Sequence, residues 1–193
     1  MNARRGSALV EIVVAAGIIS MVMIAVARSI RAAQRSAEVS SHHQLLEMRV
    51  ERALDQLRRS LPFAGISTLR AVPAGGSTDA PMVDGVTYDN VAYGEVRDAG
   101  AGGPQYGPTL VVGLRPDPHD PPDLRDDDGD GAVDEQLLVA STPGTSRVLL
   151  TQVQAFAVVK IGAMVSVSVT AVDAADGAVI AKQAAFTTTL PND

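Results

Sequence analysis

An apolar run over residues 8–27, interrupted by the single charge of Glu11 and preceded by the basic leader MNARRG, constrains this chain more than any other feature. Such a run is long enough to span a bilayer as one helix. A secretory signal peptide has a shorter apolar core and a small-residue cut site after it. Here the small residue that suits a cut, Gly6, comes before the core, and a carboxylate lies inside it. An acidic residue near the centre of a membrane helix costs roughly 2.5–3.5 kcal/mol on insertion scales and usually has a partner.

The helix is expected to continue beyond the apolar run. From Ser7 to Leu61 there is no proline, and Gly17 is the only glycine. Leu46, Val50, Leu54, Leu57 and Leu61 recur at three- and four-residue steps, with Leu45 and Ala53 beside them, which makes one apolar stripe on a charged helix. Asp55 and Arg59 form an acid-before-base pair four apart. Pro62 ends the helix at or before Leu61. At 1.5 Å per residue this is a rod of roughly 80 Å, half in lipid and half under a folded head. The stripe is too short for a coiled coil and suits packing on the protein's own sheet. His42 and His43 are adjacent, do not share a helix face, and are expected to be solvated.

After Pro62 the pattern changes. Residues 65–108 are rich in Gly, Pro, Asp and Ser and predict loops with one or two short strands around 83–91. Strands are expected over 109–114, 135–141, 147–151, 153–161, 164–173 and 179–190, with a turn supplied by Asp173-Ala-Ala-Asp176-Gly177. Residues 165–170 (VSVSVT) alternate strictly, as a half-buried strand does. The fold class expected is α+β: a long N-terminal helix packed on one face of a C-terminal antiparallel sheet. With aromatics at 3% and no tryptophan, the core must be built from Val, Leu, Ile and Ala. The absence of cysteine removes disulfide and thiolate chemistry.

The leader, the glycine and the carboxylate inside an apolar helix together resemble the prepilin N-terminus of the type IV pilin and type II secretion pseudopilin family. The resemblance implies cleavage by a prepilin peptidase between Gly6 and Ser7, N-methylation of Ser7, and retention of the apolar helix as membrane anchor and filament core. It places Glu11 fifth in the mature chain, where the family's carboxylate pairs with the terminal amine of a neighbouring subunit. Two opposite charges in an apolar filament core offset each other's desolvation. The family usually has Phe after the cut, where this chain has Ser7, and major pilins often carry a proline in the anchor helix, which is absent here. The ending Phe186-Thr-Thr-Thr-Leu-Pro-Asn192 is similar to the last strand of the larger minor pseudopilins and minor pilins, the J and W types. The implied organisation is a leader over 1–6, a transmembrane and filament-core helix over 7–28, the exposed amphipathic half of the same helix over 29–61, and a pilin-like β-rich head over 62–193. The implied partners are other pseudopilins or pilins, the prepilin peptidase, an inner-membrane assembly platform, and lipid around residues 8–27. The implied location is the bacterial inner membrane, with a single pass and the head in the periplasm.

The acidic segment 117–135, DPHDPPDLRDDDGDGAVDE, is the one part of the head with visible chemistry. It sets nine acidic residues against Arg125, a formal charge of −8. The whole chain carries −6, and loss of Arg4 and Arg5 with the leader brings the mature chain to −8, so this segment carries the entire mature net charge. A bound cation is the simplest relief for so many carboxylates. Asp126, Asp128, Asp130 and Gly131 fit D-x-D-x-D-G, the opening of an EF-hand-type calcium loop. Ala132 would add its carbonyl and Asp134 a water-mediated ligand. The twelfth position is Leu137 rather than a bidentate Glu, so an EF-hand is excluded and Glu135, Asp123 or Asp120 would complete the shell. Ca²⁺ affinity is then expected on the order of 0.1–1 mM. The alternative is a solvated acidic loop that keeps the head soluble.

No enzymatic motif is present: there is no G-x-S-x-G, no H-E-x-x-H and no glycine-rich phosphate loop. An acidic head with few aromatics is a poor partner for nucleic acid. Three functions remain open: a minor pseudopilin of a type II secretion apparatus, a minor pilin of a type IV pilus (priming, adhesion, motility or DNA uptake), and a membrane-anchored calcium-dependent binding module that does not polymerise. The large, sheet-rich head without a cysteine pair favours the first.

Overall fold

The computed structural model describes residues 3–73, 80–98, 104–120, 125, 135–175 and 177–190, with side chains from residue 10 onward apart from that of residue 98. The chain divides into two compact units, Met1–Ser41 and His42–Asp193. Helix α1, Ala3–Ser60, supplies the described part of the first unit and opens the second. Pro62 brings it to a close in a single 3-10 turn, Leu61–Phe63, as the sequence predicts.

The first unit is helix alone. Every side chain described from Val10 to Ser41 is exposed except that of Val39, which is half-buried. In the second unit the stripe on α1 behaves differently: Leu46, Val50, Ala53, Leu54, Leu57 and Leu61 are all buried in the head's core. Leu45, by contrast, is 44% exposed and takes no part in it. The residues facing the stripe come from the sheet: Leu138, Leu150, Val153, Phe156, Val158, Val165, Val167 and Val169. Burying a side chain of this size stabilises a fold by roughly 1.5–3 kcal/mol. The core is therefore mostly aliphatic, as the shortage of aromatics requires, with Tyr93, Phe156 and Phe186 set into it.

The sheet is antiparallel throughout, as expected. Its long strands are β7 (Leu110–Pro116), β8 (Gln136–Thr142), β9 (Thr145–Ile161), β10 (Met164–Ala175) and β11 (Ala178–Thr189). These stand in the order β11-β10-β9-β8-β7, followed by β4 (Asn90–Tyr93), β1 (Arg70–Ala71) and β2 (Ala80–Pro81). β3 (Thr87–Tyr88) joins the sheet on β9, and β5 (Val96–Asp98) and β6 (Gln105–Tyr106) form a separate pair. On β10 the alternation seen in the sequence is the alternation of burial: Val165, Val167 and Val169 point into the core, while Ser166, Ser168 and Thr170 face outward.

Three expectations need correction. The segments 147–151 and 153–161 are one strand, β9, of 17 residues. The break in pattern between them is a bulged stretch where Gln152 takes φ 58, a left-handed conformation uncommon outside glycine. Among its described residues the region 65–108 holds six short strands rather than one or two, several of them only two residues long and set by pairing rather than by local pattern. β10 runs two residues past its expected end at Asp173, to Ala175, so the hairpin reverses between Ala175 and Ala178, where Gly177 takes φ 77 as a tight turn demands.

Candidate functional site

Two places bear on function: the exposed apolar helix of the first unit and the root of the acidic segment in the second. In the first, Ile12, Val13, Ile18, Ile19, Met21 and Met23 are each about 60% exposed or more, on all sides of α1. The helix includes a window of mean hydropathy 2.5, none of it buried, and is long and apolar enough to cross a membrane once. A surface that is apolar all round has no water-facing side, unlike the stripe on residues 46–61. Glu11 is exposed within it, the only acidic residue before Glu38. Gly6 and Ser7 lie inside the bounds of α1, and their side chains fall outside the described residues.

In the second unit the two ends of the acidic segment come together. β7 and β8 pair from Val111↔Ser141 to Pro116↔Gln136, which sets the beginning and the end of the segment side by side. The backbone N–H of Glu135 donates to Oδ2 of Asp120 at 3.1 Å. Asp120 is 1% exposed and Glu135 4%. Two carboxylate side chains withdrawn from water at one place are costly unless hydrogen-bonded or matched by positive charge. Further along, the backbone N–H of His119 donates to Oδ1 of Asp117 at 2.9 Å, an Asx turn that begins the departure from β7. Asp126, Asp128, Asp130, Ala132 and Asp134, the remaining ligands expected for calcium, lie outside the described residues, as does Asp123. Among the described residues no group of three or more His, Asp or Glu side chains gathers to hold a metal.

Polar contacts fasten the second-unit part of α1 to the sheet, and one corrects an expectation. His42 is not solvated like His43: its Nδ1 lies 3.1 Å from Oδ2 of Asp173 on β10, and Asp173 is buried. Lys182 on β11 donates to Oε1 of Glu47 at 2.6 Å, and this hydrogen bond holds the Glu47 carboxyl below its ordinary range. Ser60 and the Tyr93 hydroxyl share a hydrogen bond of 2.7 Å beneath the end of the helix. Burial there pushes the Tyr93 phenol up to about 12. The pair Asp55–Arg59 forms on the exposed face at 2.6 Å, as its spacing implies. Neither His42–Asp173 nor Glu47–Lys182 has a local sequence signal, because each joins residues more than a hundred positions apart.

No family model, curated protein or solved structure matches this chain.

Proposed function

We propose that this chain is a filament subunit, a minor pseudopilin of a type II protein secretion apparatus. In this account the apolar half of α1 anchors the precursor in the inner membrane and then packs among the corresponding helices of neighbouring subunits in a periplasmic pseudopilus. The observation that carries the proposal is a helix apolar on every side and exposed over residues 10–30, with the single carboxylate of Glu11 five residues after Gly6. Lipid suits such a surface in the monomer, and other apolar helices suit it in an assembly. Cleavage after Gly6 frees an amine at Ser7, and Glu11 of one subunit accepts that amine from another, so both charges enter the filament core together.

Calcium belongs to the same proposal. Asp120 and Glu135 fit as the anchored ends of a cation loop: both are acidic, both are buried, and they are joined by the hydrogen bond that closes the segment. Asp126, Asp128, Asp130, Asp134 and the Ala132 carbonyl would supply the other oxygens. A bound Ca²⁺ would offset the repulsion of the segment's −8 charge and fix its course.

The test is a deletion strain and its complement. Loss of a set of folded extracellular proteins, restored by the wild-type copy and not by Glu11→Ala, is the expected result. An unchanged set of secreted proteins together with lost surface fibres would transfer the protein to a pilus. Incorporation of Glu11→Ala into filaments at the wild-type level would end the proposed role of that carboxylate.

A further inference from the structure

Three short segments of the head meet around a polar cleft of about 420 Å³: the 3-10 turn Ile66–Thr68 with β1, the chain that leaves β4 for β5, and the chain that leads from β6 into β7. Ser67, Thr68, Tyr106 and Thr109 line it with hydroxyls, and Arg70 lines it with a guanidinium. Ser67 Oγ and the Tyr106 hydroxyl lie 3.1 Å apart. The Thr68 hydroxyl accepts from the Gly94 N–H at 3.0 Å and donates to the Gly65 carbonyl at 2.8 Å, which fastens the turn to the end of β4.

Gly94 and Gly107 complete the lining, and what each contributes is the absence of a side chain. Neither takes the left-handed backbone that would itself call for glycine. A Cβ at Gly94 would lie 3.3 Å from the Tyr106 Cβ and 3.7 Å from the Thr68 methyl. One at Gly107 would lie 2.8 Å from Nε of Arg97, so the Arg97 side chain rests against bare backbone at the cleft. Elsewhere in the head Arg59, Lys160 and Lys182 each have a carboxylate within 2.7 Å. Among the described residues, neither Arg70 nor Arg97 has one within ion-pair distance. Two guanidiniums without a counter-ion thus stand beside a space rimmed by hydroxyls.

We infer that this cleft binds a small hydroxylated acid, of the sugar-acid or sugar-phosphate class, with its anionic group on Arg70 and Arg97. A guanidinium only donates, and it grips the oxygens of a carboxylate or phosphate in a two-pronged geometry. The volume falls in the range of small-molecule sites and exceeds what a lone carboxylate or phosphate fills. The rest of the wall suits the body of a polyol: hydroxyls both donate and accept, and the partly exposed Tyr106 adds an amphipathic ring. An apolar ligand would strand these polar groups, and a cation would meet like charge. The chain as a whole carries −6, so an acid that binds here answers to these two arginines and not to a generally basic surface.

The test uses the full chain in neutral-detergent micelles and follows glucuronate, glucose 6-phosphate, inorganic phosphate and glucose by saturation-transfer NMR and calorimetric titration. The expected result is saturable binding of at least one of the two acids at millimolar concentration, with glucose and inorganic phosphate weaker. The preferred acid identifies the anionic group as carboxylate or phosphate. Arg70→Gln and Arg97→Gln should each weaken binding about tenfold, as loss of a charge-assisted hydrogen bond does. Gly107→Ala should weaken it by pushing Arg97 aside. Arg97 is exposed, so Arg97→Gln at unchanged melting temperature keeps the result readable if Arg70→Gln disturbs β1. Failure of both acids to bind overturns the inference. So does glucose that binds as well as the acids, inorganic phosphate that binds as tightly as either, or acid binding indifferent to both arginine substitutions. None of these outcomes touches cleavage after Gly6 or the role of Glu11, so the filament proposal stands or falls separately.

Discussion

Helix α1 contains two apolar stretches, one over residues 10–30 and one over 46–61, and they differ in the way that best explains the molecule. The second confines its leucines and valines to one stripe, and that stripe is fully buried in the head. The first is apolar on every side and exposed on every side. A stripe can be satisfied by one sheet; a helix without a polar side can be satisfied only by a medium, lipid or several other helices at once. The same element is thus core in one part and exposed apolar surface in the other, the surface that the filament proposal assigns to anchoring and assembly.

The largest effect that could break this comparison comes from truncating matched positions. Leu54→Ala, at a fully buried site, should destabilise the head by about 2–5 kcal/mol in denaturant unfolding. Ile18→Ala, at a site 59% exposed, should leave head stability within about 0.5 kcal/mol. Equal effects would mean that the two stretches share one folding unit.

The end of the buried stretch can be probed by pH. With the Tyr93 phenol raised from 10.0 to about 12, the protonated form is favoured in the folded head. Its contribution is complete below pH 10 and is lost as pH rises toward 12, an effect of up to roughly 2–3 kcal/mol. Tyr93→Phe should flatten the alkaline fall in melting temperature over that window and cost about 1 kcal/mol at neutral pH for the lost Ser60 hydrogen bond. An alkaline fall that persists unchanged in the variant would place its cause elsewhere.

Calcium sharpens the contrast from the other side, because it should act on the head alone. At ten times an affinity of about 0.1–1 mM, binding to the native state adds about 1.4 kcal/mol. Chelator should lower the head's melting midpoint and leave the helicity of the first unit untouched; an unchanged midpoint in millimolar calcium counts against a structural cation. The smallest effect belongs to the Glu47–Lys182 pair. Its hydrogen bond lowers the Glu47 carboxyl below the ordinary 4.5, so its contribution is present above pH 4.5 and fades as pH falls through the lowered value. Lys182→Met should remove that slight acid dependence and change little else.

Much of this was legible in the sequence for physical reasons. Periodicity gave the stripe, Pro62 its end, and strict alternation gave β10, since each reports a local rule of helix or strand geometry. What stayed hidden depends on contacts distant in sequence. The join within β9 is obscured because the bulge at Gln152 breaks the two-residue period. Two-residue strands such as β1 and β2 have no pattern to detect, and the pairing of His42 with Asp173 exists only once β10 lies under the helix. At the acidic segment the composition announced charge, whereas the burial of Asp120 and Glu135 required the β7–β8 register to bring its ends together.

The most direct test of the filament account is the intact mass and N-terminal sequence of the chain isolated from the membranes of its own cells. The account predicts a polypeptide that begins at Ser7 with a methylated amine, in which Glu11 stands fifth. A chain that retains residues 1–6, in cells where other prepilin-type leaders are processed, would contradict it and leave α1 as a plain membrane anchor.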